Sequence, residues 1–465
     1  SILELPRMGK KTVENMKAAM DFAARAGERT PIGVALPIAE VICERLRKLK
    51  AAKQVEFAGS LRRGRDTIGD IDILVATSDP AAISTAFREM PEVTQVLAAG
   101  ETKSSVRLQA MDSAARTHVL QADLRVVAPE AFGAALHYFT GSKEHNVRVR
   151  ERALKMGYTL NEYGLFPLDD EKTPPQQRGV KPTASRTEEQ VFQKLDLPYI
   201  PPEIREDRGE LTAPTKLLES LITLEDIKSE LHAHTTASDG QLSLEELVEE
   251  AKRRGFHTIA VTDHSKSQPV ANGLSPERLL AHIEAIHELD SKIKGIKVLA
   301  GSEVDIMPDG RLDYEDKLLE QLDIVVASPH HALKQSPKDA TKRLLKAIKH
   351  PLVHIVGHPT GRLVGRREGL SPDLEALIAA AVEHDTALEV NAHWMRLDLR
   401  DVHVRAAVEA GARIAIDCDV HAVSDFDNLR FGVITARRGW LTRDACINAW
   451  PARKLHTWLK KKRSG

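Results

Sequence analysis

Three cysteines in 465 residues, Cys43, Cys418 and Cys446, show no short paired spacing. That excludes a disulfide framework and predicts a reducing compartment. No apolar run approaches the ~20 residues a membrane span needs, and no positively charged, then apolar, leader stands at the front. No membrane partner is therefore expected. Charge of one sign is also missing: 66 Lys and Arg against 67 Asp and Glu leave a net charge of −1. Nothing global announces nucleic acid, so any such contact has to come from local patches. What is present is a globular composition, 42% hydrophobic with mean hydropathy −0.29, in a chain long enough for two or more full cores. Histidine is uneven, with 3 of 19 before residue 200 and 16 after residue 230. The asymmetry implies two domains with different chemistry.

The first informative stretch is Phe57-Ala58-Gly59-Ser60-Leu61-Arg62-Arg63, followed by Gly69-Asp70-Ile71-Asp72-Ile73. An apolar strand, Val55 to Ala58, runs into Gly-Ser and a basic, helix-compatible turn. A second strand opens on Asp70. Side chains alternate with period 2, so Asp70 and Asp72 point one way while Ile71 and Ile73 point to a core. Two carboxylates a few ångströms apart repel unless a divalent cation sits between them. A helix start at Ser60, with Arg62 and Arg63 nearby, is a seat for phosphate. Together they suggest metal-assisted phosphoryl transfer. The plainer alternative is an edge strand with two solvated aspartates.

Around this stretch the chain reads as follows. Gly9, Lys10, Lys11 and Thr12 open an amphipathic helical segment that would either hold a DNA backbone as a partial helix-hairpin-helix, with Arg7 where such hairpins carry glycine, or be an ordinary helix start with Lys10 and Lys11 in solvent. Leu36 to Lys50 reads as helix, 81–100 as helix, turn and strand, and 118–127 as strand with Asp123 in mid-run. A lone carboxylate inside an apolar strand is costly unless paired or metal-bound; Asp123 would complete a triad with Asp70 and Asp72. Tyr138-Phe139 before Gly141, with Asn146, Arg148 and Arg150 at helical spacing, could clamp a base and sugar, although periodicity alone makes the two aromatics core. Residues 166–228, rich in Pro, Glu and Gln, read as the end of the first domain and a linker.

These motifs, with Asp123-x-Arg125 and Tyr158-Thr159-Leu160-Asn161-Glu162-Tyr163-Gly164, resemble the catalytic part of a family X DNA polymerase from Arg29 to about Glu206. The resemblance implies that Asp70, Asp72 and Asp123 hold two Mg2+ or Mn2+ ions. It implies that Arg29, Gly59, Ser60 and Arg62 bind an incoming triphosphate. Tyr138, Phe139, Gly141 and Asn146 would line the nucleotide, and Arg150 would face the template. Only about 28 residues precede Arg29, so the family's amino-terminal lyase domain is expected to be absent and no lyase activity is expected.

From Glu230 the pattern changes. Seven short apolar runs end in polar residues, at His232/His234, Asp263/His264, Glu303, His330, His358, Asn391 and Asp417–His421. Counted from His232 the intervals are 32, 39, 27, 28, 33 and 28 residues, the size of a βα unit. Repeated βα units with polar residues at the carboxyl ends of strands are how an α/β barrel builds a site. Histidine and carboxylate without cysteine suit zinc, manganese or iron. His282, His287, His350, His354 and His384 lie in helical or connecting stretches and carry no assigned role.

This half resembles the PHP (polymerase and histidinol phosphatase) phosphoesterase domain. By that resemblance His232, His234, Asp239, His264, Glu303, His330, His358, Asp419 and His421 hold up to three Zn2+, Mn2+ or Fe ions. His331 competes with His330, which the spacing favours; His393 lies outside the ligand pattern.

The fold class expected is α/β multidomain. Residues 1–28 would be a partial hairpin subdomain, 29–140 a nucleotidyltransferase palm with a mixed sheet, and 141–206 a nucleotide-selection subdomain. A linker at 207–228 would lead to a distorted (β/α)7 barrel over 229–465. The function expected is a bacterial, cytoplasmic and nucleoid-associated repair polymerase. It would act as a monomer on gapped or primer–template DNA with dNTP, and carry a metal-dependent 3′-5′ exonuclease. Two other classes stay open: a nucleotidyltransferase acting on a small molecule or RNA end, and a non-catalytic DNA-end scaffold. The basic tail Lys460–Arg463 reads as solvated.

Overall fold

Apolar residues at every second position set the first sheet. Ile71 and Ile73 are buried to 0% and 1% exposure while the aspartates between them face the other way. The computed structural model describes residues 29–111 and 117–463; the hairpin expected at Gly9–Thr12 lies outside them. The chain divides into two units, Ser1–Thr212 and Ala213–Gly465.

In the first unit, strands β1 (Ala52–Phe57), β2 (Asp70–Thr77), β3 (Val93–Ala99), β4 (Lys103–Met111) and β5 (Thr117–Val127) form a mixed sheet in the order β1-β2-β5-β4-β3. Only β2 and β5 pair in parallel, in a register that sets Asp72 opposite Asp123. Helix α1 (Ile32–Arg47) buries Leu36, Ala39, Ile42, Cys43 and Leu46, the i, i+3, i+4 stripe of a core-facing helix. The one-turn helix α2 (Gly59–Arg62) follows β1. Helix α3 (Phe132–Thr140) ends at Gly141, whose φ of 68° favours a residue without Cβ. The next residue, Ser142, caps α4 (Lys143–Lys155) by accepting from His145 N at 3.2 Å. This sharp join brings the last turn of α3 and the first turns of α4 to one place.

The expected linker at 207–228 is not a tether, because buried and hydrogen-bonded residues claim both its ends. Glu210 is buried against His145 of α4, with Oε1 2.8 Å from Nδ1. Ile222 N donates to Leu441 O at 2.9 Å and Lys228 N to Asn448 O at 2.8 Å, which adds 213–228 to the second unit.

That unit is a seven-stranded parallel barrel: β6 (Ser229–Glu230), β7 (Thr258–Val261), β8 (Lys297–Asp305), β9 (Ile324–Ser328), β10 (Ile355–Val356), β11 (Ala387–Asn391) and β12 (Ile414–Asp417). A bridge between Ala233 and Val420 brings the first and last strands together. Helix α5 (Ala452–Arg463) closes the floor: Leu455, Trp458 and Leu459 pack on Leu231, Ala260, Leu299, Ile355, Ala387 and Ala415. Alternation carries each strand from an apolar floor residue to a polar one above it. The pairs are Leu299 and Glu303, Ala387 and Glu389, and Ala415 and Asp417.

All four tryptophans lie in the second unit, so their emission reports on the barrel alone. Leu455→Ala, at a fully buried floor position, is expected to cost the barrel about 2–5 kcal/mol. A lower urea midpoint of tryptophan emission is the expected reading, and an unmoved midpoint would show that α5 does not close the barrel.

Candidate active sites

The parallel register of β2 and β5 gathers Asp70, Asp72 and Asp123, one carboxylate oxygen of each lying within 4.8 Å of the others. Burial, then the charges of Asp70 and Asp123, pushes the Asp72 carboxyl up to about 7. Burial and Asp123 raise Asp70 as well. Three carboxylates gathered this closely fit divalent cations, whose charge reverses the repulsion. Ala58 N donates to Asp72 O at 2.8 Å, tying this strand to the start of α2. A Cβ on Gly59 (φ 62°) would sit 2.2 Å from Asp72 Oδ2, so the turn approaches the acids as closely as only glycine permits.

Beside the acids opens a cleft of about 790 Å3, lined by Arg29, Gly59, Ser60, Arg63, Tyr138, Phe139, Gly141, Asn146 and Arg150, among others. Arg29 is aimed by Nε to Thr67 Oγ1 at 3.0 Å and Nη2 to Thr67 O at 2.6 Å. Tyr138 is 37% exposed and meets Phe139 edge-on at 5.2 Å, so it is a cleft wall and not core. Asn146 Nδ2 donates to Tyr138 O at 2.7 Å, while its Oδ1 is buried without a partner.

Arg62 differs from the expectation that it binds triphosphate. Its Nη2 lies 2.6 Å from Glu188 Oε2 and its Nη1 2.7 Å from Thr140 Oγ1. Glu188 is also paired with the fully buried Arg205. Although burial would raise it, Arg205 and Arg62 hold the Glu188 carboxyl well below the usual range. The neighbouring Arg63 is the one that lines the cleft, its Nη1 donating to Thr140 O at 2.6 Å. In a one-turn helix adjacent residues project about 100° apart, so only one of the two arginines can face the acids.

In the barrel, strand ends bring together His232, His234, Glu303 and Asp419; His234, Asp239, His264 and His421; and His264, Glu303 and His330, each group with ligand atoms within 4.8 Å. His358 joins through Nε2, 2.9 Å from Glu303 Oε1. All nine residues expected as ligands therefore converge. His331 turns away and faces Ser267 O at 3.1 Å. His358 (φ 24°) and Asp419 (φ 54°) hold left-handed backbone, which is uncommon outside glycine and tends to collect at functional sites. Buried ring nitrogens of His232, His234, His264 and His358, with Glu303 Oε2 and Asp419 Oδ1, have no hydrogen-bond partner. Buried polar atoms are otherwise satisfied, and a nitrogen and oxygen donor set of this kind fits divalent cations.

Behind these residues lies a layer of acids outside the expected ligand set. Glu389 Oε1 is 2.6 Å from His232 Nδ1, and its Oε2 accepts from His358 N. Asp305 Oδ1 is 2.8 Å from His330 Nδ1. Asp263 accepts from Thr235 N at 2.8 Å and Ser238 N at 3.2 Å, bracing the loop that carries Asp239, and His282 Nε2 backs it at 2.8 Å. Asn391 Nδ2 donates to Asp419 Oδ2 at 3.1 Å. Carboxylates on Nδ1 leave Nε2 to face the cluster and fix the ring.

Comparison with known proteins agrees with this geometry. Residues 29–134 match the DNA polymerase beta palm, 135–206 the DNA polymerase beta thumb and 230–393 the PHP domain. The chain is 39% identical over 459 residues, 98% of its length and 77% of the relative's, to the DNA polymerase/3'-5' exonuclease PolX of Bacillus subtilis. It is 29% identical over 243 residues, 50% of this chain, to a probable phosphatase of Thermoanaerobacter sp., 94% of which is covered. It is 33% identical over 166 residues to a probable phosphatase of Syntrophotalea carbinolica, 35% of this chain and 64% of that protein.

Two outcomes follow. Asp72 titrates near 7 when folded and at about 3.9 unfolded. Between those values the folded state keeps a proton that the unfolded state has lost, so stability falls as pH rises through the window. Asp72→Asn is expected to raise the melting temperature of chelator-treated protein at pH 8, with the gain shrinking toward pH 4 in calorimetry. A gain that grew at low pH would refute it. Glu389→Ala is expected to weaken metal binding in the barrel by about 10–100-fold, read by competition with a chromophoric chelator. Undiminished affinity would remove Glu389 from any role behind His232.

Proposed function

Because the chain belongs to the family X DNA polymerases that carry a PHP domain, we propose that its aspartate cleft adds deoxynucleotides to a DNA primer 3′ end in short gaps. Its histidine cluster then hydrolyses the phosphodiester at a 3′ end. One observation carries the reading: the parallel register sets Asp72 beside Asp123 at the foot of a cleft walled by arginines and aromatic rings. A relative over nearly the whole chain is named a polymerase and 3'-5' exonuclease.

Both domains are metal-dependent. Asp70, Asp72 and Asp123 would hold two Mg2+ or Mn2+ ions, and the nine barrel residues up to three Zn2+, Mn2+ or Fe ions. When bound, such cations supply positive charge to phosphate oxygens and lower the pKa of a hydroxyl or water at neutral pH. The chain's own residues do the rest. Arg29, Ser60 and Arg63 hold the triphosphate as charge-assisted donors. The ring of Phe139, with Arg125 5.0 Å from its centroid, and Tyr138 would seat the sugar and base. Asn146 Oδ1 is an acceptor aimed from the start of α4, and Arg150, one turn on, would reach the template. In the barrel Glu389 and Asp305 keep His232 and His330 in one tautomer through the cycle.

The probable phosphatases among the relatives favour a second reading of the histidine site, removal of a terminal 3′ phosphate. Labelled primers with a 3′ hydroxyl or a 3′ phosphate separate the two by product, nucleotide or inorganic phosphate. Among the described residues no helix is long and apolar enough to cross a membrane, and the expected unit of action is a monomer on gapped DNA.

Asp70→Ala is expected to abolish primer extension and leave hydrolysis at the wild-type rate; His232→Ala is expected to do the reverse. Gel assays of both activities on one gapped substrate check this, and loss of both activities in either variant would rule out two independent sites.

A further inference from the structure

One barrel helix concentrates positive charge that the chain as a whole lacks. The helix that follows β9 spans Pro337–Ile348. Lys338, Lys342 and Lys346, with Lys349 just beyond its end, fall on one exposed stripe, while Ala340, Leu344 and Ala347 on the opposite side are buried in the core. With Leu345 and Pro372 these four lysines line a groove of about 760 Å3. Asp373 is the one acid lining it, and its Oδ1 is engaged in capping the next helix through Ala376 N at 3.1 Å. Lys346 Nζ donates to Asp309 O at 2.6 Å. The side chains of Lys338, Lys342 and Lys349 hold no hydrogen bond or ion pair among the described residues.

The stripe is rigidly joined to the histidine site. Pro337 follows His330 by seven residues, and the buried Arg343 on the inner face donates Nη1 to His331 O at 2.7 Å and Nε to Ile306 O at 2.9 Å. Those two carbonyls lie one residue beyond His330 and Asp305. The middle of the stripe is thus held against the backbone beside His330 and Asp305. Lys338, Lys342 and Lys346 succeed each other every four residues, about 6 Å along the axis, a step that successive phosphates of an unstacked strand can follow.

We propose that this groove is the track of the DNA strand whose 3′ end enters the histidine site, its phosphates pairing with Lys338, Lys342 and Lys349 and its sugars lying on Leu345 and Pro372. The inference rests on the nuclease reading of that site. In the full chain, Lys338→Glu, Lys342→Glu and Lys349→Glu together are to be compared with Lys→Arg at the same positions, on two substrates. One is a single-stranded oligonucleotide. The other is the p-nitrophenyl ester of thymidine 5′-monophosphate, too short to reach the groove.

The charge-reversed protein is expected to show at least a tenfold higher KM on the oligonucleotide. The slope of log(kcat/KM) against log[salt] should become shallower by about two, since each phosphate contact on a single strand contributes about 0.7. Its kcat on the small ester should be unchanged, and the arginine variant should match wild type. An unchanged KM and salt slope on the oligonucleotide overturns the track, as does an equal loss on both substrates. A wild-type protein that retains its metal yet cleaves neither substrate refutes the nuclease reading, and the track with it.

Discussion

A carboxylate taken out of water at the end of a strand is tolerated only where a cation or a set of donors meets it, and both units are organised around that demand. In the first, a single parallel pairing inside an otherwise antiparallel sheet puts Asp72 level with Asp123. Had β5 paired in the opposite sense, the two acids would not share a rung in this way and the cleft would hold arginines without a centre. In the second, seven parallel strands all point their carboxyl ends the same way, so every polar terminus converges above one apolar floor.

The two sites differ in how they handle protons. Around the aspartates, burial and mutual repulsion raise acids. Around the histidines, opposite influences coexist within a few ångströms. Burial, then His421 and His264, draws His234 down to about 4, whereas Glu303 and Asp305 overcome burial and lift His330 to about 9. Glu303, in contact with His232, His264, His330 and His358, is the hub of this field. Although burial would raise it, His330, His232 and His264 hold it well below the usual range.

Much of this was legible from residue order, for physical reasons. Alternation in Asp70-Ile71-Asp72 is visible because a strand has period 2, and the barrel because histidine recurs at the length of a βα unit. Arg62 and Arg63 could not be told apart, because which of two adjacent side chains faces a cleft depends on where a one-turn helix begins and on a partner, Glu188, 126 residues away. The linker was read from Pro and Glu content, yet Glu210 is buried by a histidine 65 residues earlier. The acids behind the histidines had a usable signal. Asp305 and Glu389 each stand two positions from a site residue (Glu303 and Asn391) inside an apolar strand, hence on the same strand face.

The seam between the first and last barrel strands has a consequence for synthesis. Leu231 N donates to Asp417 Oδ1 across 186 residues of sequence, and His232 and His234 face Asp419 from the other end of the domain. Because chains emerge from the ribosome amino end first, the polymerase sheet can fold while the barrel is still open. A nascent chain thus has no complete histidine cluster until the codons for its last strand have been read.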